Sequence, residues 1–273
     1  MGFRNISAWS IRNPVFAIVL FFMLSVAGVV SFIKMDLSSL RTVKEGIAQG
    51  FKHDRLDILM NNAGIIAKPA MLSADGYEIQ FATNHLGHAM LTKQLLPILL
   101  KTAKEPGSDV RIISITSDGY EFHRAIKGGI SFSELDAGST MSRAMLGGWI
   151  RYGQSKLANI LFASELARRH PELTSVAVHP GLVSTTMNTE MNGWSKLFVS
   201  VSARMSGTKW LEPHQGVLSQ LWCAAGAKKG ELRNGGFYRP VGVDWTEKAT
   251  PEVRDIKLAE KLWEWTEKEL VKY

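Results

Sequence analysis

Tyr152-Gly-Gln-Ser-Lys156 heads a run that continues Leu157-Ala-Asn-Ile-Leu-Phe-Ala-Ser-Glu-Leu-Ala-Arg168. Leu157, Ile160, Leu161 and Leu166 recur at helical spacing, and neither Pro nor Gly interrupts the run after Gly153. The pattern predicts a helix of roughly four turns or more. Residues four apart share a helix face, which sets the Lys156 ammonium beside the Tyr152 phenol. A neighbouring positive charge favours the phenolate and draws its pKa from about 10 toward neutrality, the condition for a general acid/base. The same spacing arises by chance on many helices, so the reading of the pair turns on what surrounds it.

Upstream, Val110 to Ile115 is a short apolar run ending in Thr116-Ser117, and Leu56-Asp-Ile-Leu-Met60 is another, ending in Asn61-Asn-Ala-Gly64. Downstream, Ser175-Val-Ala-Val-His179 ends in Pro180-Gly181. Each reads as a buried strand that opens, at its carboxyl end, into a turn of small or polar residues. Helical periods separate them. Ser38 to Phe51 repeats through Leu40, Val43 and Ile47; Tyr77 to Leu100 carries Asn84-His-Leu-Gly-His88; Glu212 to Ala225 is a third, and Pro251 to Val271 an amphipathic closing helix. Asp118 to Gly148, rich in Gly and Ser, reads as a loop with at most one short element, and Gly236 to Pro240 as an edge strand. The alternation predicts an α/β fold with a doubly wound parallel sheet, in which ligands collect at the carboxyl ends of the strands.

Composition narrows the function. The 273 residues are 45% hydrophobic and 21% charged, as in a globular protein with a sizeable core. The single cysteine, Cys223, excludes an intrachain disulfide. A net charge of +7 is spread along the chain in short pairs such as Arg168-Arg169 and Lys228-Lys229, which reads as solvated surface rather than a nucleic-acid site. No metal-ligand spacing is visible, and His179 reads as a packed strand histidine.

Pro14 to Ile33 stands apart: 20 residues without a charge, about the length that crosses a hydrocarbon core of about 30 Å. It predicts a transmembrane helix, with a buried core helix as the alternative. A secretory signal normally has a shorter apolar region, about 7 to 15 residues, and no small-x-small site follows Ile33. Arg4 and Arg12 on one side and Lys34, Arg41 and Lys44 on the other leave the orientation unread. The expected division is a membrane-helix segment over 1–35 and a second domain over 36–273.

Ser117, Asn84, Tyr152 and Lys156, in this order of strand ends and helices together with the turns at Asn61-Gly64 and Pro180-Gly181, resemble the short-chain dehydrogenase/reductase family. The resemblance is to its retinol-dehydrogenase-like and fungal members and runs from about Asp36 to the C-terminus. It implies a Rossmann-like fold, NAD or NADP as cofactor, and hydride transfer between the nicotinamide and an alcohol or carbonyl substrate. Tyr152 would then exchange a proton with the substrate oxygen, Ser117 would hydrogen-bond that oxygen, Lys156 would hold the nicotinamide ribose, and Asn84 would help relay protons to solvent. On the cofactor side, Asp36 would meet the adenine, Asn61, Asn62, Ala63 and Gly64 would flank the adenosine, and Pro180, Gly181, Val183 and Thr185 would shape the nicotinamide end. Thr186 to Met205 matches the family's substrate lid, and its Met187, Met191, Trp194, Leu197 and Phe198 imply an apolar substrate. The resemblance also implies a homodimer formed through the helices bearing Asn84 and Tyr152.

Two features depart from that pattern. Asn5 through Asp36 resembles the extreme N-terminus and first membrane helix of resistance-nodulation-division efflux pumps, although no second apolar run of comparable length follows, so transport by this polypeptide is not expected. The family's Thr-Gly-x-x-x-Gly-x-Gly turn, which brings a pyrophosphate to a helix N-terminus, is absent: before Asn61 the only glycines are Gly2, Gly28, Gly46 and Gly50. The expectation is a fold truncated at its first strands, with Leu56 to Met60 left as an open edge. Two readings follow, a membrane-anchored oxidoreductase with its catalytic part on the cytoplasmic side, or an inactive remnant serving as an interaction module.

Overall fold

Alternate residues of the central strands enter two different cores, which is what a strand covered on both faces requires. In the computed structural model, which describes residues 35–135, 146–184, 193, 196, 199–200, 204 and 209–273, the sheet comprises β1 (Ile58–Asn61), β2 (Arg111–Ile115), β3 (Thr174–Val178), β4 (Phe237–Arg239) and β5 (Val243–Asp244). They lie side by side in that order. The first four are mutually parallel, with Asn61 opposite Ser114, Ile115 opposite Val178, and Val178 opposite Tyr238. Only β5 is antiparallel. The expected doubly wound parallel sheet is therefore present. Gly236 to Pro240 is not its edge, because the chain turns back through Gly242, at a positive φ of 72°, and lays β5 outside β4.

Leu59, Ile112, Ala177 and Phe237 face the larger core. Over them pack α1 (Leu40–Gly50), α3 (Gly87–Ala103), α4 (Gly147–Arg169) and α6 (Ile256–Leu270). On the other face, Ile113, Ile115, Val176, Val178 and Tyr238 meet Cys223 and Ala224, from the π-helical turn Trp222–Gly226 that ends α5 (Pro213–Leu221), and Ala227 just after it. Glu212 to Ala225 is thus helical as expected but changes its hydrogen-bond period at Trp222.

Two helix starts differ from the sequence pattern, and an expected loop holds short helices. The Glu78 carboxylate accepts from the Phe81 amide at 2.7 Å, so α2 (Ile79–Phe81) begins there rather than at Tyr77. It runs through a π-helical turn, Ala82–Leu86, into α3. α4 begins at Gly147, so Tyr152 sits inside the helix rather than at its head. The segment expected as a loop holds two 3-10 helices, Asp118–Ala125 and Phe132–Glu134.

Among the described residues β1 pairs on one side only, with β2. The uncharged run 14–33 lies outside the described residues. Within them no helix is long and apolar enough to cross a membrane.

Candidate active site

Three parallel strands ending at one edge of a sheet bring their following turns together, and here those turns wall a cleft of about 600 Å³. Asn62, Ala63 and Gly64 come from the end of β1, Thr116 and Ser117 from β2, and His179, Pro180, Gly181 and Val183 from β3. Tyr152 and Lys156 of α4 form the wall over the larger core, and Pro213, Gly216, Val217 and Gln220 of α5 the opposite one.

Close approach of α4 to the first 3-10 helix creates the catalytic corner. A Cβ on Gly153 would stand 2.7 Å from Phe122 Cβ and 2.8 Å from the His123 amide nitrogen, and one on Gly119 would stand 2.9 Å from the Tyr152 ring. Only glycine admits both contacts. Ser117, the N-cap of that 3-10 helix, accepts from the Gly119 amide at 3.1 Å and hydrogen-bonds the Tyr152 phenol.

Tyr152 and Lys156 are both buried, and burial governs their protonation. Burial pushes the Tyr152 phenol up to about 12, against a smaller opposing effect of the Ser117 hydrogen bond. It pulls the Lys156 ammonium down to about 8. The expectation that Lys156 draws the phenol toward neutrality is not met. Its Nζ lies 5.7 Å from the Tyr152 ring centroid and donates instead to the Ile115 carbonyl at 3.1 Å, so desolvation outweighs the charge.

Asn84 stands behind this corner. On the π-helical turn its Nδ2 donates to the Ile65 carbonyl and to Ser155 Oγ, each at 3.0 Å, while Oδ1 accepts from the Ile65 amide at 2.8 Å. Ser155 in turn donates to the Tyr152 carbonyl at 2.8 Å. Asn84 thereby fastens the turn after β1 to α4. Gly64 lets the backbone in: a Cβ there would be 3.0 Å from Asn84 Oδ1 and 3.4 Å from Lys156 Nζ.

Two of the expected cofactor contacts do not line the cleft, and a third is outside the described residues. Asn61 is buried against α3, its Nδ2 donating to Thr92 Oγ1 at 3.0 Å. Asp36 is outside the cleft lining, because its short side chain is satisfied locally: Oδ1 accepts from both the amide and the hydroxyl of Ser38 at 2.8 Å. Thr185 lies outside the described residues, as does most of the expected lid 186–205. Conversely, His179 is more than a packed strand histidine. It lines the cleft just beyond β3, with Nε2 3.2 Å from Asp118 Oδ2. Gln220 donates across the cleft to Asn62 Oδ1 at 3.0 Å. Neither Asp118 nor Gln220 stands in a recognisable pattern, so sequence reading had no signal for them.

The cleft fits the nicotinamide and ribose end of a dinucleotide: Gly64 leaves the space a Cβ would fill, Gly181 holds a positive φ of 93°, and Lys156 supplies a cation beside them. The pyrophosphate end has no equivalent cradle among the described residues. The N-terminus of α1 is taken by protein, the Leu40 amide donating to Asp75 Oδ2 at 2.6 Å, and the neighbouring carboxylates of Asp36 and Asp75 would repel phosphate.

Comparison with known proteins agrees with this geometry. Residues 24–126 match the family model described as short chain dehydrogenase. The chain is 36% identical over 259 residues to the short-chain dehydrogenase/reductase drtF of Aspergillus calidoustus, covering 89% of this chain and 77% of that protein. It is 34% identical to human retinol dehydrogenase 14, over 86% of this chain and 65% of the relative. Among solved structures, an uncharacterized protein from Mycobacterium paratuberculosis superposes with a TM-score of 0.60 at 28% identity, covering 86% of this chain and 74% of that one. The carbonyl reductase Sniffer of D. melanogaster does so with 0.50 at 26%, covering 77% and 75%. A parallel sheet whose strand ends gather Ser117, Tyr152 and Lys156, together with such identity over three quarters of the fungal protein, leads to one assignment: the chain belongs to the short-chain dehydrogenase/reductase family.

Proposed function

We propose that the chain is an NAD- or NADP-dependent oxidoreductase that interconverts an apolar carbonyl compound and its alcohol, with Tyr152 as the acid/base. The observation that carries this reading is the convergence of Ser117, Tyr152 and Lys156 on one cleft that also presents Gly64, Pro180 and Gly181. The relatives named as retinol dehydrogenase and carbonyl reductase support the same class of substrate. The family match begins at residue 24, inside the uncharged run 14–33.

The bound dinucleotide would supply or take up the hydride. The chain's own residues do the rest. With its pKa at about 12, the Tyr152 phenol is protonated at neutral pH and serves as the acid that protonates a carbonyl oxygen during reduction. Ser117 Oγ, hydrogen-bonded to that phenol, holds the same substrate oxygen. Lys156, at about 8, is largely charged at pH 7 and favours the phenolate left behind. Val183 and Val217 give the cleft apolar walls that exclude water.

The test is a titration of the full chain with the reduced forms of both cofactors, followed by tryptophan fluorescence. Turnover is then measured with a panel of decanal, benzaldehyde and cyclohexanone. Saturable binding is expected, with reduction level between about pH 6 and 8 and falling above about pH 8 as Lys156 loses its proton. Tyr152→Phe is expected to bind cofactor normally and lose reduction by roughly a thousandfold or more. Binding without any turnover across the panel, or an active Tyr152→Phe, overturns the reading.

A second reading, a catalytically inactive remnant, is favoured by two observations: no glycine turn precedes Asn61, and the N-terminus of α1 is capped by Asp75. It predicts no saturable binding of either cofactor by the folded chain.

A further inference from the structure

Asp118 is the residue after Ser117, and its carboxylate reaches two other strand ends. Its Oδ2 lies 3.2 Å from His179 Nε2 and accepts a hydrogen bond from Arg239. His179 immediately precedes the Pro180-Gly181 turn, and its own amide is fixed to the Tyr238 carbonyl at 2.9 Å. Arg239 ends β4, with its guanidinium 4.4 Å from the centroid of Trp245. One carboxylate thus joins the ends of β2, β3 and β4, the first two of which open into turns that line the cleft. The rest of the same 3-10 helix has anchors of its own: the Tyr120 hydroxyl accepts from the Thr250 amide at 3.2 Å, and His123 Nε2 stands 3.2 Å from Glu252. Asp118 therefore acts locally, on the Ser117 end.

We infer that Asp118 is a positioning residue, which through His179 and Arg239 sets the separation between Ser117, the group that holds the substrate oxygen, and the Pro180-Gly181 turn, against which the nicotinamide sits. The inference rests on the oxidoreductase reading above. Hydride transfer demands that donor and acceptor carbons be held at a near-attack separation of about 3–3.5 Å, and a displacement of about 1 Å between two such walls costs on the order of a hundredfold in rate. Cofactor binding makes no such demand on Ser117. The inference therefore separates two quantities: loss of the carboxylate charge lowers kcat and leaves cofactor affinity in place. Both partners are cations or hydrogen-bond donors, and Asp118 is held ionised below the ordinary carboxylate range by them in spite of its partial burial. A neutral amide of the same shape weakens both contacts at once.

The experiment compares full-length wild type, Asp118→Asn, Asp118→Glu and Arg239→Lys, with reduced cofactor and decanal as probes. Tryptophan fluorescence gives the cofactor Kd, steady-state rates give kcat and KM, and thermal unfolding gives Tm. Asp118→Asn is expected to lose kcat by about ten- to a hundredfold, with cofactor Kd within about twofold of wild type. Asp118→Glu is expected to recover a substantial part of that loss, because it restores the charge, and Arg239→Lys to fall between. An Asp118→Asn protein with wild-type kcat overturns the inference while leaving the oxidoreductase reading intact. So does one whose Kd and Tm deteriorate together with kcat, since that pattern marks a purely structural role. Wild-type protein that turns nothing over overturns the reading and the inference together, and that failure is recognised by its appearing before any substitution is made.

Discussion

Lys156 holds an ammonium where water is excluded, and that has a stability consequence as well as a chemical one. Its pKa falls from 10.5 to about 8 on folding, caused by burial. Because the folded value lies below the unfolded one, the folded protein binds fewer protons, and this group destabilises the fold below about pH 8 and ceases to do so as pH rises toward 10.5. The shift corresponds to about 3 kcal/mol. Lys156→Met, similar in length and apolar, is expected to gain about 1–3 kcal/mol at pH 7 while losing turnover. Denaturant unfolding at pH 7 and at about pH 9.5 checks both points: the advantage of the variant should shrink at the higher pH, and a variant less stable than wild type at pH 7 refutes the account. At this scale the sequence was informative about identity and spacing. Ser117, Tyr152, Lys156 and Gly64 gather in one cleft as their motifs implied. What spacing does not carry is dielectric environment, so the Tyr152–Lys156 spacing alone gives the wrong direction for the phenol's shift, and it does not carry local capping, so nothing in the motif reports the hydrogen bonds from Ser38 to Asp36.

The element that carries Asn84 shows where periodic pattern ends. Apolar residues continue at helical spacing from Phe81 through Leu99, so the sequence predicts one uninterrupted helix, yet Ala82–Leu86 is a π-helical turn. Apolar periodicity does not report the single extra residue in the hydrogen-bonded ring. That turn and the first residues of α3 bury two histidines. His85 lies between the rings of Phe81 and Phe162, at 5.0 and 5.5 Å, and its Nε2 meets Thr266 Oγ1 at 2.9 Å; His88 Nδ1 donates to the Asn84 carbonyl at 3.0 Å. Burial lowers their pKa values to about 3 and about 4. Neutral in the fold and protonated when unfolded below about pH 6.5, each contributes stability that is complete above that value and is lost as pH falls toward the folded pKa. Melting temperature is expected to drop steeply between pH 7 and 5. The slope should be shallower in His85→Phe, whose ring suits the same aromatic slot. Equal slopes for the two proteins would show that other groups govern the acid limb.

At the scale of the molecule, strand and helix alternation was sufficient to read the parallel sheet and the end of it that carries the chemistry. Which strand lies at each border was harder: β5 is two residues long and carries no strand pattern, and β1 is a border among the described residues alone. That border has physical consequences. Among the described residues β1 offers unpaired backbone groups on its outer side, and the sheet face beneath α5 is only partly covered: Ile58 is 40% exposed, Leu218 48% and Leu221 51%. The opposite face at the same strand is closed, with Leu59 at 7%. A short parallel edge beside exposed apolar side chains is a template for pairing with another chain. The expectation is self-association that grows with concentration. Ile58→Lys places a charge on the exposed face of the edge strand without touching Leu59 or the cleft, and should lower the weight-average mass measured by sedimentation velocity at matched concentration, leaving cofactor binding unchanged. An identical concentration dependence in wild type and variant would place the association on another surface, since a lysine at a pairing edge opposes strand addition wherever that edge is used.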